Sequence, residues 1–113
     1  MESGSGYYTY IFESDTKPET IYFDYVYVDG YSLDVQDADG FDLDDQEGPE
    51  YTLSGSFDYE CEDDIDWESF DMSGFELQFY LGKDNKEIEY DTKKAILTLY
   101  NDKDEKLEET ITY

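Results

Sequence analysis

Residues 51–61, YTLSGSFDYEC, alternate almost without fault between apolar and polar side chains. Tyr51, Leu53, Phe57, Tyr59 and Cys61 fall on one side with Gly55 among them, and Thr52, Ser54, Ser56, Asp58 and Glu60 fall on the other. A period of two is that of a β-strand, and one apolar face against one polar face marks a strand half buried in an antiparallel sheet.

The same rhythm extends outward. Phe75, Leu77, Phe79 and Leu81 alternate with Glu76, Gln78 and Tyr80, and Tyr8, Tyr10 and Phe12 mark a first strand. Ile21, Phe23, Tyr25 and Tyr27 predict a second, and Val26 and Val28 make its other face apolar too, which predicts a central position. Asp29-Gly30 between Val28 and Tyr31 is a two-residue hairpin signal, because a type I′ turn needs positive φ. Gly82 to Asn85 can join the strand at 75–81 to one near 87–91. Asp91 to Lys93 can turn into a strand at 95–100, and Asn101 to Glu105 into one at 107–113, so the C-terminal third reads as a four-stranded meander. Residues 36–50, QDADGFDLDDQEGPE, read as a loop from their Gly, Pro and Asp content. One short helix is expected at 62–72, with Asp63 or Asp64 as its N-cap. The expected fold is mainly β, a small antiparallel sandwich or barrel-like sheet with at most one short helix; α+β is the alternative. Residues 1–6 read as a flexible leader, and 7–113 as a single β-rich domain with an acidic middle at 18–82.

The 113 residues carry 32 Asp and Glu against 7 Lys, with no Arg and no His, for a net charge of −25. An ordinary small domain carries roughly 2–8 charges net. Self-repulsion on this scale opposes compaction, so the excess needs a reason. Disorder is not that reason: disordered chains are poor in aromatic residues, and this one is 19% Phe, Trp and Tyr, with 13 Tyr. The charge is also local. Between Lys17 and Lys83 lie 20 acids and no basic residue, whereas from Lys83 onward 6 Lys accompany 9 acids. A bulk adaptation for solubility or high salt would spread over the whole chain.

Catalytic and metal chemistry find few of the residues they need. Zinc sites and Ser-His-Asp or Cys-His catalysis require His or several Cys, and the chain has one Cys and no His. Aligned on Gly40, the EF-hand pattern finds Asp37 and Asp39 but meets Val35 at its first ligand position and Gln46 at its last. An irregular Ca²⁺ site would have to draw on Asp37, Asp39, Asp42, Asp44 and Asp45. Carboxylate pairs suited to glycoside hydrolysis arise by chance among 32 acids and carry no specificity. No Gly-rich phosphate loop is present. The expectation is a protein that is not an enzyme and needs no cofactor. Cys61 is expected to be a small core hydrophobe, its thiol dulled by Glu60 and Glu62, and Trp67 a core anchor beneath an acidic patch. With a lone Cys, no apolar run near ~20 residues and no signal-peptide pattern, the expected location is cytoplasmic, bacterial or in the host of a phage.

Duplex DNA carries one negative charge per ~1.7 Å of axis, so the 20 acids of the middle correspond to ~34 Å of duplex. In length, charge and an Asp/Glu/Tyr-rich middle, the chain resembles the small acidic DNA-mimic inhibitors of phages, mobile elements and bacteria. The resemblance is one of composition and rests on no motif. It implies a partner that is a basic DNA-binding protein: a nuclease, restriction or CRISPR effector, or nucleoid protein. Like-charge repulsion leads us to expect no direct binding of nucleic acid, the lack of a long apolar run no membrane, and the net charge a monomer or weak dimer. The carboxylates expected to face that partner are Asp37, Asp39, Asp42, Asp44, Asp45, Glu47, Glu50, Asp58, Glu60, Glu62, Asp63, Asp64, Asp66, Glu68 and Asp71. The alternatives are an immunity-type inhibitor of a basic toxin and a Ca²⁺-binding β module.

Overall fold

The structure is a computed structural model that describes residues 2–69, 71–72 and 74–113. Eight strands follow one another: β1 (Glu2–Glu13), β2 (Thr20–Val28), β3 (Tyr31–Gln36), β4 (Glu50–Cys61), β5 (Glu76–Lys83), β6 (Lys86–Glu87), β7 (Asp91–Asn101) and β8 (Lys106–Thr112). All pairings are antiparallel, and the strands form one sheet in the order β6-β5-β2-β3-β4-β1-β7-β8. The mainly β expectation holds.

Rings from strands that are not neighbours in the sheet meet each other. Tyr10 of β1 stacks on Phe79 of β5 at 4.5 Å, Tyr8 lies 5.0 Å from Phe23 of β2, and Phe57 of β4 meets Phe23 edge-on at 5.6 Å. The sheet therefore curls on itself. Its β5-β2-β3 half faces its β4-β1-β7 half across an aromatic core, as in a sandwich. Three of the four buried tyrosines bond through their hydroxyls: Tyr59 donates to the Tyr100 carbonyl at 3.1 Å, Tyr8 donates to the Asp39 carbonyl, and Tyr10 meets the Thr92 hydroxyl. Burial holds all three phenols well above their ordinary range. Among the described residues, no buried side-chain nitrogen or oxygen lacks a hydrogen-bond partner.

Strand β4 follows its alternation, burying Tyr51, Leu53, Phe57, Tyr59 and Cys61. The Asp29-Gly30 hairpin also forms, with φ of 45° and 86° and Val28 opposite Tyr31. Strand β2 is interior, as expected, but its face assignment is corrected. A register shift between Phe23 and Val26 puts three residue steps of β2 against two of β5. Such a bulge reverses the alternation, so Phe23, Val26 and Val28 are buried while Tyr27 is exposed.

Three further expectations are overturned. Residues 2–6 are not a leader: they form the start of β1, paired with β4 and, from Gly4, with β7. A Cβ on Gly4 would lie 2.2 Å from the Tyr100 carbonyl oxygen, and one on Gly6 would lie 2.5 Å from the Phe57 ring. Glycine sits there for close approach rather than for flexibility. The C-terminal third is not a meander either, because β5-β6 and β7-β8 lie at opposite ends of the sheet and β1 supplies the neighbour of β7. The helix at 62–72 does not form. Among the described residues this stretch holds only a turn, Ser69 N–H to Asp66 carbonyl at 3.2 Å. Its buried Ile65 and Met72 anchor separately, and its like-charged neighbours disfavour helical spacing.

The loop after β3 takes the place of a strand. β3 pairs with β4 only at Asp58 to Glu60, which leaves the 50–57 edge of β4 open. Asp39 and Gln46 cover it. The Asp39 N–H reaches the Ser56 carbonyl at 3.0 Å, and its carboxylate accepts the Ser56 N–H at 2.8 Å and hydroxyl at 3.1 Å. The Gln46 amide accepts the Thr52 N–H at 2.7 Å and donates to the Thr52 carbonyl at 2.8 Å. Lys17 fixes the same loop through the carbonyls of Asp44 and Gln46.

Candidate interaction surface

The antiparallel register gathers carboxylates where β1, β4 and β7 end together. Glu2 stands opposite Cys61, Ser3 opposite Glu60, Ser5 opposite Asp58, and Asp34 of β3 opposite Glu60. The segment that follows β4 leaves from this point, and its described residues include Glu62, Asp63, Asp64, Asp66, Glu68 and Asp71, all exposed. The 101–105 turn adds Asp102 and Glu105, with one cation, Lys103, beside Asp64, Asp66 and Glu68 around a groove of about 490 Å³. A second groove of about 400 Å³ runs past Asp58, Glu60 and Asp102. Of the expected partner-facing residues, Asp58, Glu60, Glu62, Asp63, Asp64, Asp66 and Glu68 thus share one acidic end. Asp71 lies by the β2–β3 turn, where its N–H donates to the Asp29 carboxylate at 3.3 Å.

Of the other expected residues, Asp37, Asp39, Asp42, Asp44, Asp45 and Glu47 lie on the segment that covers the edge of β4, and Glu50 is the first residue of β4. Two of these carboxylates already serve the backbone: Asp39 holds Ser56, and Asp42 accepts the Asp44 N–H at 2.9 Å. Among the described residues, no three Asp, Glu, Cys or His side chains converge to hold a metal ion. No helix among them is long and apolar enough to cross a membrane.

One residue of the site is not legible as such in the sequence. The Glu2 carboxylate accepts the Ile65 N–H at 2.6 Å and the Trp67 indole N–H at 2.7 Å, which pins the acidic loop to the sheet. Trp67 is half-buried against the core rather than enclosed by it. Glu2→Ala is expected to release this loop, lowering stability by about 1–3 kcal/mol, because a charged acceptor is lost from two donors. As Trp67 is the sole tryptophan, its fluorescence reads the change directly. A red shift with faster quenching is the expected result, and an unchanged spectrum would mean that Glu2 does not hold the loop.

Cys61 is buried beneath this end. Burial is the main reason its thiol is raised, with Asp63, Glu2 and Glu62 adding negative charge and a backbone hydrogen bond involving Asp63 acting the other way. The thiol is therefore poorly placed to be a nucleophile. A separate cleft of about 740 Å³ is lined by Glu13, Asp15, Glu87, Glu89 and Asp91, with Ser14, Ile88 and Tyr90. Its acids come from both ends of the chain, and sequence spacing gives no sign that they meet.

Comparison with protein-family models, curated proteins and solved structures finds no match for this chain.

Proposed function

We propose that the protein is a DNA mimic that occupies the nucleic-acid-binding groove of a basic protein and so blocks or sequesters it. The observation that carries this reading is the charge per unit length. A net charge of −25 lies along a body 41 Å long and 25 by 22 Å across, about one charge per 1.6 Å. Duplex DNA presents one per ~1.7 Å. The match is with the whole body, so a partner's Lys and Arg meet only the share of these carboxylates that faces them.

The acidic end suits the role physically. Apart from Glu2 and the half-exposed Glu60, its carboxylates are exposed, so they keep their water until a partner displaces it, and the aromatic core beneath keeps them in place. The field of such a surface steers a cationic groove toward it and speeds association. Exposed Tyr7, Tyr22, Tyr27 and Tyr80 offer broad contact area with few torsions to freeze.

The test is capture of partners from bacterial lysate at low salt, with and without competing duplex DNA, using the wild type and a neutralised variant. That variant carries Asn or Gln at Asp58, Glu60, Asp63, Asp64, Asp66, Glu68 and Asp71. Asn and Gln keep an acceptor oxygen, so the turn that Asp66 closes onto the Glu68 N–H survives. The expected result is a DNA-binding protein that is lost on adding DNA, and binding weakened about a hundredfold or more in the variant, from many individually modest pairs. Capture indifferent to DNA would turn the reading to an immunity-type inhibitor. Unchanged binding by the variant would remove the acidic end as the contact surface.

A further inference from the structure

We propose that the outer face of β2 and β5 binds arginine side chains of a basic protein, which lie flat on its exposed tyrosines and reach the carboxylates beside them. In β2, Phe23, Val26 and Val28 are buried, which leaves Tyr22 and Tyr27 on the outside; in β5, burial of Phe79 leaves Tyr80 outside. The register sets Tyr22 opposite Tyr80, and their rings lie 6.2 Å apart, tilted by 32°. Further along, Tyr27 stands between Glu76 of β5 and Ser32 of β3, and Tyr25 stands opposite Asp34. Tyr22 is 62% exposed, Tyr80 42% and Tyr27 41%, so three large rings on one sheet face remain in water. Exposed apolar surface gathered on one face marks an interaction site.

Charge selects the occupant. β2, β3 and β5 as far as Gly82 come wholly from the stretch between Lys17 and Lys83, so they hold Asp24, Asp34 and Glu76 and no cation. By contrast, β7 and β8 carry Lys93, Lys94 and Lys106. At the far end, a groove of about 250 Å³ beside the Tyr22–Tyr80 pair adds Lys86 and Glu87, one charge of each sign. An apolar partner would strip water from the carboxylates and offer them nothing in return. A cation pairs with them. Among cations, the guanidinium group is planar and weakly hydrated, so it stacks on a ring while its edge N–H groups reach a carboxylate; an ammonium group is compact and holds its water. The face also continues into the acidic end. Asp34 stands opposite Glu60, and a groove of about 360 Å³ runs past Ser32, Asp34, Glu60, Glu62 and Asp63. The inference rests on the partner being basic, as under the reading above, but not on that partner binding DNA.

The test is fluorescence anisotropy of the full chain with a labelled oligo-arginine peptide and an oligo-lysine peptide of equal length. It is run at about 0.15 M and about 0.5 M NaCl, between which the Debye length falls from about 8 Å to about 4 Å. Both peptides should bind at the lower salt. At the higher salt the arginine peptide should be held about tenfold more tightly than the lysine peptide, because ring stacking is short-ranged and outlasts the screening. Tyr22→Ser combined with Tyr80→Ser should bring the two peptides to within about twofold, with circular dichroism unchanged. Tyr22→Phe combined with Tyr80→Phe keeps the rings and should keep the preference. The variant neutralised at the acidic end should weaken both peptides and preserve their ratio, so capture indifferent to DNA would defeat the mimic reading and leave this one standing. Equal affinity of the wild type for the two peptides at the higher salt overturns the proposal. So does a preference that survives the serine variant, or loss of all arginine-peptide binding at the higher salt.

Discussion

Phe79→Ala is expected to cost about 3–5 kcal/mol, because it removes the ring that joins the two halves of the sheet. Phe79 is 2% exposed, stacks on Tyr10 at 4.5 Å and on Phe23 at 4.6 Å, and meets Tyr8 edge-on at 5.8 Å. None of these three can collapse into the vacancy without giving up another contact. Tyr10 is held by Thr92, Tyr8 by the Asp39 carbonyl, and Phe23 by Phe57. Small domains have only about 5–15 kcal/mol of stability to lose, and self-repulsion among 25 net charges places this one toward the lower end. Urea titration should show the transition lost or moved close to zero denaturant. The neighbouring Tyr80→Ala is the control: Tyr80 is 42% exposed and points away from the core, so a change within about 1 kcal/mol is expected. If both variants melted alike, the aromatic stack would not be what joins the layers.

The second large effect is expected at Gly6. Glycine in a strand usually costs stability, so replacing it with a β-branched residue ordinarily helps. Here the sign is reversed. A Cβ at Gly6 would meet the Phe57 ring at 2.5 Å and the Thr98 carbonyl oxygen at 2.8 Å. The first obstacle is a buried ring set among Tyr8, Phe23 and Tyr59, and the second is backbone of the adjacent strand. Gly6→Val should lose about 3 kcal/mol, seen as a Tm at least about 10 °C lower. Ser5→Val, one residue earlier on the exposed face, should be neutral or slightly stabilising. Equal behaviour of the two variants would mean that residues 2–6 fray from the sheet.

These positions show how far the sequence could be read. β4 was legible because its alternation is strict and its whole length pairs with β1. β2 was legible as a strand but not in its faces, because a bulge leaves no mark in composition and shifts every side chain after it. The run Gly4-Ser5-Gly6 looks like a tether until the Tyr59 and Phe57 rings are seen lying over it, and that crowding depends on a strand more than fifty residues away. The meander failed for a related reason: consecutive strands are usually neighbours, but β7 finds its partner at the start of the chain. The carboxylates themselves are plain in the sequence. What was not plain is the division of labour among them, with Asp39 and Asp42 bonded to backbone and Glu2 holding Trp67. The roles of Asp39 and Glu2 are set by what lies across the sheet, whereas Asp42 bonds to Asp44 two residues on in the chain.

The central place of β1 also governs when the protein can form. Gly4 pairs with Asn101 and Glu13 with Asp91, so the first strand acquires its second neighbour only once nearly the whole chain exists. Contacts this distant in sequence make folding slow, on the millisecond-to-second scale of non-local β proteins. During synthesis the Tyr-rich segment 7–12 would wait with one edge open, the condition in which strands mispair between chains. The 20 acids between Lys17 and Lys83 emerge just behind it and keep neighbouring nascent chains apart. The charge that burdens the finished fold thus guards its assembly.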